Sequence, residues 1–176
     1  MIRVAQIDEI NTLNELIDLS ARELGKIDYS PHEIEGAIQY IFGVDRELVQ
    51  DKTYYVMEQE GTFIACGGWS RRKTLFGGDQ CSVRENGFLN PKLDFAKIRA
   101  FFVHPSYARQ GLGKKLLTYC EKQAKAYGFS KLEMMATLTG VKLYRNCGYQ
   151  LIAPESFLLG NGESFKMFKM VKHLQE

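Results

Sequence analysis

Between Ile10 and Leu24, apolar side chains recur at Ile10, Leu13, Leu16 (or Ile17) and Leu24. That spacing predicts an amphipathic helix, and Gly25 is a suitable stop for it. Ahead of this segment, Ile2–Ile7 reads as a short strand. Ser30 as N-cap and Pro31 at the first helical position predict a second helix through "SPHEIEGAIQYIFG". Two apolar runs, Tyr54–Glu58 and Phe63–Trp69, flank Glu60-Gly61 and predict a hairpin. From Arg71 to Pro91 the pattern is irregular, polar and glycine-bearing, which predicts a long loop or an extended hairpin end.

The second half alternates more clearly. "AKIRAFFV" predicts a strand ended by His104-Pro105, and helical spacing then links Leu112, Leu116, Cys120, Ala124 and Tyr127 up to a stop at Gly128. "KLEMMA" predicts another strand, "TGVKLYRNCGY" a short helix ending at Gly148, and "YQLI" and "SFKMFKMV" two further strands. A strand, helix and strand of these lengths imply a right-handed parallel crossover. Because the order of elements is mixed, the expected fold is an α/β (α+β mixed) domain with a mixed sheet. No repeat or linker divides the chain, so residues 1–176 are expected to form one domain.

Composition narrows the function more than the fold. A net charge of +2 gives no case for general attraction to nucleic acid or a membrane. The four cysteines, Cys66, Cys81, Cys120 and Cys147, form no CxxC pair, and the chain has only three histidines, so no metal site is expected. Reduced thiols in a cytoplasmic protein are the simpler reading. "MIRVAQIDEI" lacks the basic start and apolar core of a signal peptide, and no apolar run is long enough to span a bilayer.

One stretch carries chemistry. In "HPSYARQGLGKKLL", two glycines stand where a helix begins, although glycine is costly inside one. A dinucleotide fingerprint fails because Leu116 stands where the third glycine belongs. A P-loop fails because Ala108 and Lys115 replace its first glycine and its Ser/Thr. A strand, a glycine-rich loop and a helix start remain, presenting free backbone N–H groups and a positive dipole end beside Arg109 and Lys114. An anion such as a pyrophosphate and a plain tight turn both fit.

"IRAFFVHPSYARQGLGKKLL" resembles the acetyl-CoA-binding signature of the GNAT superfamily of N-acetyltransferases, Arg/Gln-x-x-Gly-x-Gly/Ala after the fourth strand. Gly111-Leu112-Gly113 matches, whereas Ala108 stands at the leading position and the arginine is displaced to Arg109. About forty residues on, "ATLTGVKLYRNCGYQ" resembles the family's second segment, with Thr137 and Thr139 where Ser or Asn is frequent and with Tyr144 and Gly148-Tyr149 matching directly. The element order follows the family from residue 2 to about 172. The resemblance implies a GNAT-like central sheet, mixed and mostly antiparallel, with a splayed parallel strand pair and about four flanking helices.

It also implies an activity, transfer of an acetyl group from acetyl-CoA to a primary amine of a small molecule or protein. Pantetheine would run along Phe101, Phe102 and Val103 as an extra strand. The loop Arg109, Gln110, Gly111, Leu112, Gly113 and Lys114 would hold the pyrophosphate, with Thr137 as a further cofactor contact. Tyr144 would be the general acid to the CoA thiolate, while Cys147, one helical turn on, reads as core. Many members carry a Glu base where this chain has Lys97, so Glu133, His104 and water remain open for that role. Arg71, Arg72 and Lys73, beside Trp69 and Phe76, form either an acceptor-recognition cluster or a solvated loop surface. Two alternatives stay in view: a non-catalytic acyl-CoA-binding sensor, which Lys97 favours and Tyr144 disfavours, and an acyltransferase using a longer or acidic acyl-CoA. Homodimers are frequent in the resembled family, and the exposed late strands offer an edge that could pair.

Overall fold

The computed structural model describes residues 1–176. Seven strands form one sheet: β1 (Ile2–Val4), β2 (Tyr54–Gln59), β3 (Thr62–Ser70), β4 (Ala96–Val103), β5 (Lys131–Thr137), β6 (Gln150–Leu158) and β7 (Ser164–His173). Their spatial order is β1-β2-β3-β4-β5-β7-β6. Every pairing is antiparallel except β4 with β5. Five helices flank the sheet: α1 (Ile10–Gly25), α2 (Pro31–Tyr40), α3 (Arg46–Gln50), α4 (Leu112–Tyr127) and α5 (Val141–Asn146).

The second helix starts where its sequence dictates. Ser30 Oγ accepts from Glu33 N at 3.1 Å and Glu33 Oε1 accepts from Ser30 N at 2.8 Å, a reciprocal cap ahead of Pro31. α4 buries Leu116, Leu117, Cys120 and Ala124 against the face of the sheet that carries Ala96, Ile98, Leu132 and Met134. α1 buries Leu13, Leu16 and Ile17 with Tyr54, Val56 and Cys66 on the opposite face. A third apolar cluster joins Ile34 and Ala37 of α2 to Phe165 and Met167 of β7 and to Phe76 and Cys81 of the long loop.

Three expectations need correction. β1 ends at Val4 rather than Ile7, because Ile7–Glu9 form a 3-10 turn whose entry is fixed by Gln6 N donating to Glu9 Oε1 at 2.7 Å. A fifth helix, α3, lies in "DRELVQ", started by Asp45 Oδ1 accepting from Glu47 N at 2.9 Å; five residues are too few to show a period. β6 runs to Leu158, straight through Pro154. It is the outermost strand, and an edge position tolerates proline because no neighbour needs its N–H.

The splayed pair expected from the resemblance is present. β4 and β5 are in register only at Ala96–Leu132 and Lys97–Glu133. Beyond that point β4 stays paired to β3 as far as Val103, and β5 to β7 as far as Thr137, so the two part company.

Candidate active site

A single inserted residue shapes the mouth of that gap. Opposite β3, Cys66 faces Phe102 and Gly68 faces Arg99, so β4 has one residue more than its partner over this stretch. Ala100 takes the strain, at φ +53°, in the left-handed region. Its carbonyl is held by Tyr54, whose hydroxyl donates to it at 2.8 Å from the interior of β2. The extra residue also inverts the alternation of β4. Ala96 and Ile98 face α4, and after the bulge Phe101 and Val103 do so in their place, while Phe102 turns to the α1 side. Gly67 makes room for this, since a Cβ there would stand 2.5 Å from the Phe101 ring.

The gap opens into a cleft of about 640 Å³ between the end of α1, the end of β4, the start of α4 and α5. Of the residues expected to contact acetyl-CoA, Phe101, Phe102, Val103, Arg109, Gly111, Leu112, Gly113, Lys114 and Thr137 all line it. Gln110 does not; it is an exposed residue of the turn. Arg109 and Gly111 both have positive φ, +61° and +81°. Gly111 is required for backbone shape rather than room, because a Cβ there would meet nothing within 4 Å. The helix that follows has no side-chain cap, and its first internal bond is Lys115 N to Gly111 O at 3.0 Å. The amides of Leu112, Gly113 and Lys114 therefore face the cleft end without helical partners. With Arg109, Lys114 and Lys142 lining the same end, the site suits a polyanion such as a pyrophosphate.

Where the strands divide, the cleft meets an inner pocket of about 60 Å³ on the α2 side of β4. Phe101, Phe102, Thr137 and Tyr144 line both cavities. Tyr144 is 8% exposed, and a Cβ at Gly140 would stand 2.7 Å from its ring, so that glycine lets the phenol lie flat on the turn. The hydroxyls of Tyr29, Tyr54, Tyr55 and Tyr149 each hydrogen-bond within the chain, whereas that of Tyr144 has no such partner. Burial pushes the Tyr144 phenol well above its ordinary value and keeps it protonated.

The residues left open as bases lie elsewhere. Glu133 is ion-paired with Lys97 and, at 3.5 Å, with Lys169, and it lines neither cavity. His104 Nδ1 accepts from Ser106 N at 3.1 Å, fixing the turn after β4. Arg71, Arg72 and Lys73 also stand outside both cavities. Arg72 pairs with Asp51 at 2.7 Å and Arg71 lies over the Phe88 ring at 4.2 Å. The same loop does contribute to the inner pocket, through Leu75–Gly78. Trp69 is core, its Nε1 donating to Tyr55 Oη at 3.2 Å. Cys147 packs half-buried against the α4-side core, with its thiol raised by burial.

Sequence reasoning missed Arg99, which is 2% exposed and lines the inner pocket. An arginine in a strand carries no signal of its depth; alternation with Ala96 and Ile98 puts it on the face away from α4, against Asp45.

Known structures share this architecture. A GCN5-related N-acetyltransferase of Rhodopseudomonas palustris superposes with a TM-score of 0.72 at 18% identity, covering 99% of this chain and 95% of that one. The PaiA N-acetyltransferase of Thermoplasma acidophilum, solved with coenzyme A, gives 0.65 at 18% identity over 98% of both chains. The yncA protein of Salmonella typhimurium, solved with acetyl-CoA, gives 0.66 at 15% identity over 100% of this chain and 94% of that one. No curated protein sequence matches the chain significantly. The family model of the GNAT acetyltransferases matches residues 13–149, which include the splayed strands, the glycine turn and Tyr144, and the chain thus belongs to the acetyltransferase (GNAT) family.

Proposed function

We propose that residues 1–176 form one cytoplasmic N-acetyltransferase domain that moves the acetyl group of acetyl-CoA to a primary amine by direct attack. The observation that carries this reading is the position of Tyr144. Tyr144, whose protonated hydroxyl has no hydrogen-bond partner in the chain, lines both the cleft and the inner pocket. The cleft's uncapped helix start and cationic end fit the pyrophosphate, and the unpaired edge of β4 beyond Lys97 fits pantetheine as an added strand. The cytoplasmic assignment rests on four free cysteines.

In this reading the neutral amine attacks the thioester carbonyl carbon from the inner-pocket side. Backbone amides beside the bulge stabilise the oxyanion, each such donor typically contributing about 3 kcal/mol. As the C–S bond breaks, Tyr144 gives its proton to sulfur. The proton lost by the attacking nitrogen returns through water to the phenolate, so that amide and free thiol are the net products. No carboxylate or histidine lines the inner pocket, and in this reading water carries the proton away from the amine.

That same absence favours a second reading, an acyl-CoA-binding protein without turnover. Thiol release from acetyl-CoA, measured against a panel of amines and amino acids, separates the two. Amine-dependent release with N-acetylated product supports the transferase. Tight acetyl-CoA binding with no acceptor-dependent release across the panel supports the sensor.

A further inference from the structure

The inner pocket has an unusual wall. Of the 17 residues that line it, Arg99 is the one that carries a charge, and three are the flexible methionines Met134, Met135 and Met167. Arg99 is nearly fully buried. Its Nη2 donates to Asp45 Oδ2 at 3.0 Å and to the Gly77 carbonyl at 2.5 Å, and its Nη1 donates to the Thr74 carbonyl at 3.2 Å. Its Nε–H has no partner, and it is the one buried side-chain polar atom of the protein in that state. An unmade hydrogen bond at a buried charged donor is expensive, and this one belongs to the only charged residue of the pocket wall.

The surrounding charges do not remove the demand. Asp45 is shared between Arg99 and Arg84, at 3.0 and 2.9 Å. Glu47 is likewise shared, between Arg84 and Arg72, and Asp51 is taken by Arg72. Arg99 thus has only part of one carboxylate to itself, and nothing acidic lines the pocket. Such a wall repels a second cation and accepts an anionic oxygen.

We propose that Arg99, the one charged residue of the inner pocket's wall, receives the carboxylate of the acceptor, so that the acceptors are amino acids or small amino-carboxylates. This deepens the acetyltransferase reading and rests on it. Arg99 and Phe101 flank the bulge residue Ala100, and both line the inner pocket, which sets a short span between the acceptor's carboxylate and its amine. The methionine walls would accommodate the remainder of the side chain.

The test uses the full chain with saturating acetyl-CoA and a set of amino acids and ω-amino-carboxylates, each beside its carboxamide. Removing the charge from the partner of a buried guanidinium should lower kcat/KM about tenfold to a hundredfold. At least one acid is expected to exceed its amide by that margin, chiefly through KM. Arg99→Lys, which keeps the charge and loses the Nε–H, should shrink that preference to within about twofold while its acetyl-CoA affinity, measured by calorimetry, stays at the wild-type value. Should Arg99→Lys fail to fold, the wild-type acid-to-amide ratio decides alone. Amides turned over as well as acids, or turnover confined to amines that lack a carboxylate, would overturn the proposal and leave the acetyltransferase standing. Acetyl-CoA binding without turnover of any acid overturns it as well. Failure to bind acetyl-CoA at all removes the acetyltransferase reading beneath it.

Discussion

The hydroxyl of Tyr54 donates to the carbonyl of Ala100 at 2.8 Å, and so a fully buried side chain of β2 holds the left-handed residue of β4 in place. The residues after the bulge, Phe101, Phe102 and Val103, line the cleft. Tyr54→Phe keeps the packing and leaves that carbonyl unpaired. The expected loss of stability is about 1 kcal/mol in urea denaturation. Turnover should fall further than acetyl-CoA affinity does, because the amides proposed to hold the oxyanion lose their support. Equal changes in both would assign Tyr54 to packing alone.

Across the same bulge, Gly67 leaves space that the Phe101 ring occupies. Gly67→Ala should destabilise the fold by about 1–3 kcal/mol through overpacking. Combining it with Phe101→Leu should recover part of that loss, a coupling that a double-mutant cycle of denaturation midpoints would show.

Tyr144→Phe removes a hydroxyl without hydrogen-bond partners in the chain, so folding and acetyl-CoA binding should stay near wild type. Loss of the proposed general acid should lower kcat by about a hundredfold or more. A variant with unchanged kcat would return Tyr144 to a packing role.

Lys97 and Glu133 occupy the last register pair before β4 and β5 separate, and their ion pair is almost fully screened from solvent. Glu133→Gln leaves Lys97 with a buried, uncompensated charge, a loss of about 3–5 kcal/mol. Per mole of folded protein, however, turnover should change less than twofold. A hundredfold loss of kcat at full folding would make Glu133 the missing base.

The rate should follow pH in one direction. Attack requires the neutral amine, so kcat/KM rises as pH rises toward the amine's own pKa. Tyr144 must stay protonated, and burial has raised its value, so no fall is expected below about pH 10, the ordinary range of a phenol. A descending limb near neutrality would show that an enzyme acid with a lower pKa is required.

Much of this was legible in the chain, and the failures have physical causes. The Ser30 cap declares itself through a side chain that accepts from Glu33 N, and the Gly61 turn and Gly111 helix start through positive-φ backbone that few other residues adopt. Tyr144 was legible only through its resemblance to a family motif. The bulge was not. "AKIRAFFV" reads as an unbroken strand, and strict alternation would put Ala96, Ile98, Ala100 and Phe102 on one face. Only pairing with β3 across a residue that β3 lacks reveals the inversion. Arg99 was missed because an arginine in a strand gives no sign of its burial, and in the Arg71–Lys73 cluster, left open between acceptor recognition and solvated surface, Arg71 and Arg72 are held locally by the Phe88 ring, Asp51 and Glu47. Pro154 concealed a nine-residue strand, since its tolerance depends on an edge position that local sequence does not encode.

Titration calorimetry of acetyl-CoA against the wild-type protein, with ATP as the control polyanion, tests the central claim most directly. The account predicts one site per chain, with acetyl-CoA at least about tenfold tighter than ATP, because the unpaired edge of β4 adds pantetheine contacts that a nucleotide lacks. No detectable heat with acetyl-CoA, or equal affinity for ATP, would contradict it.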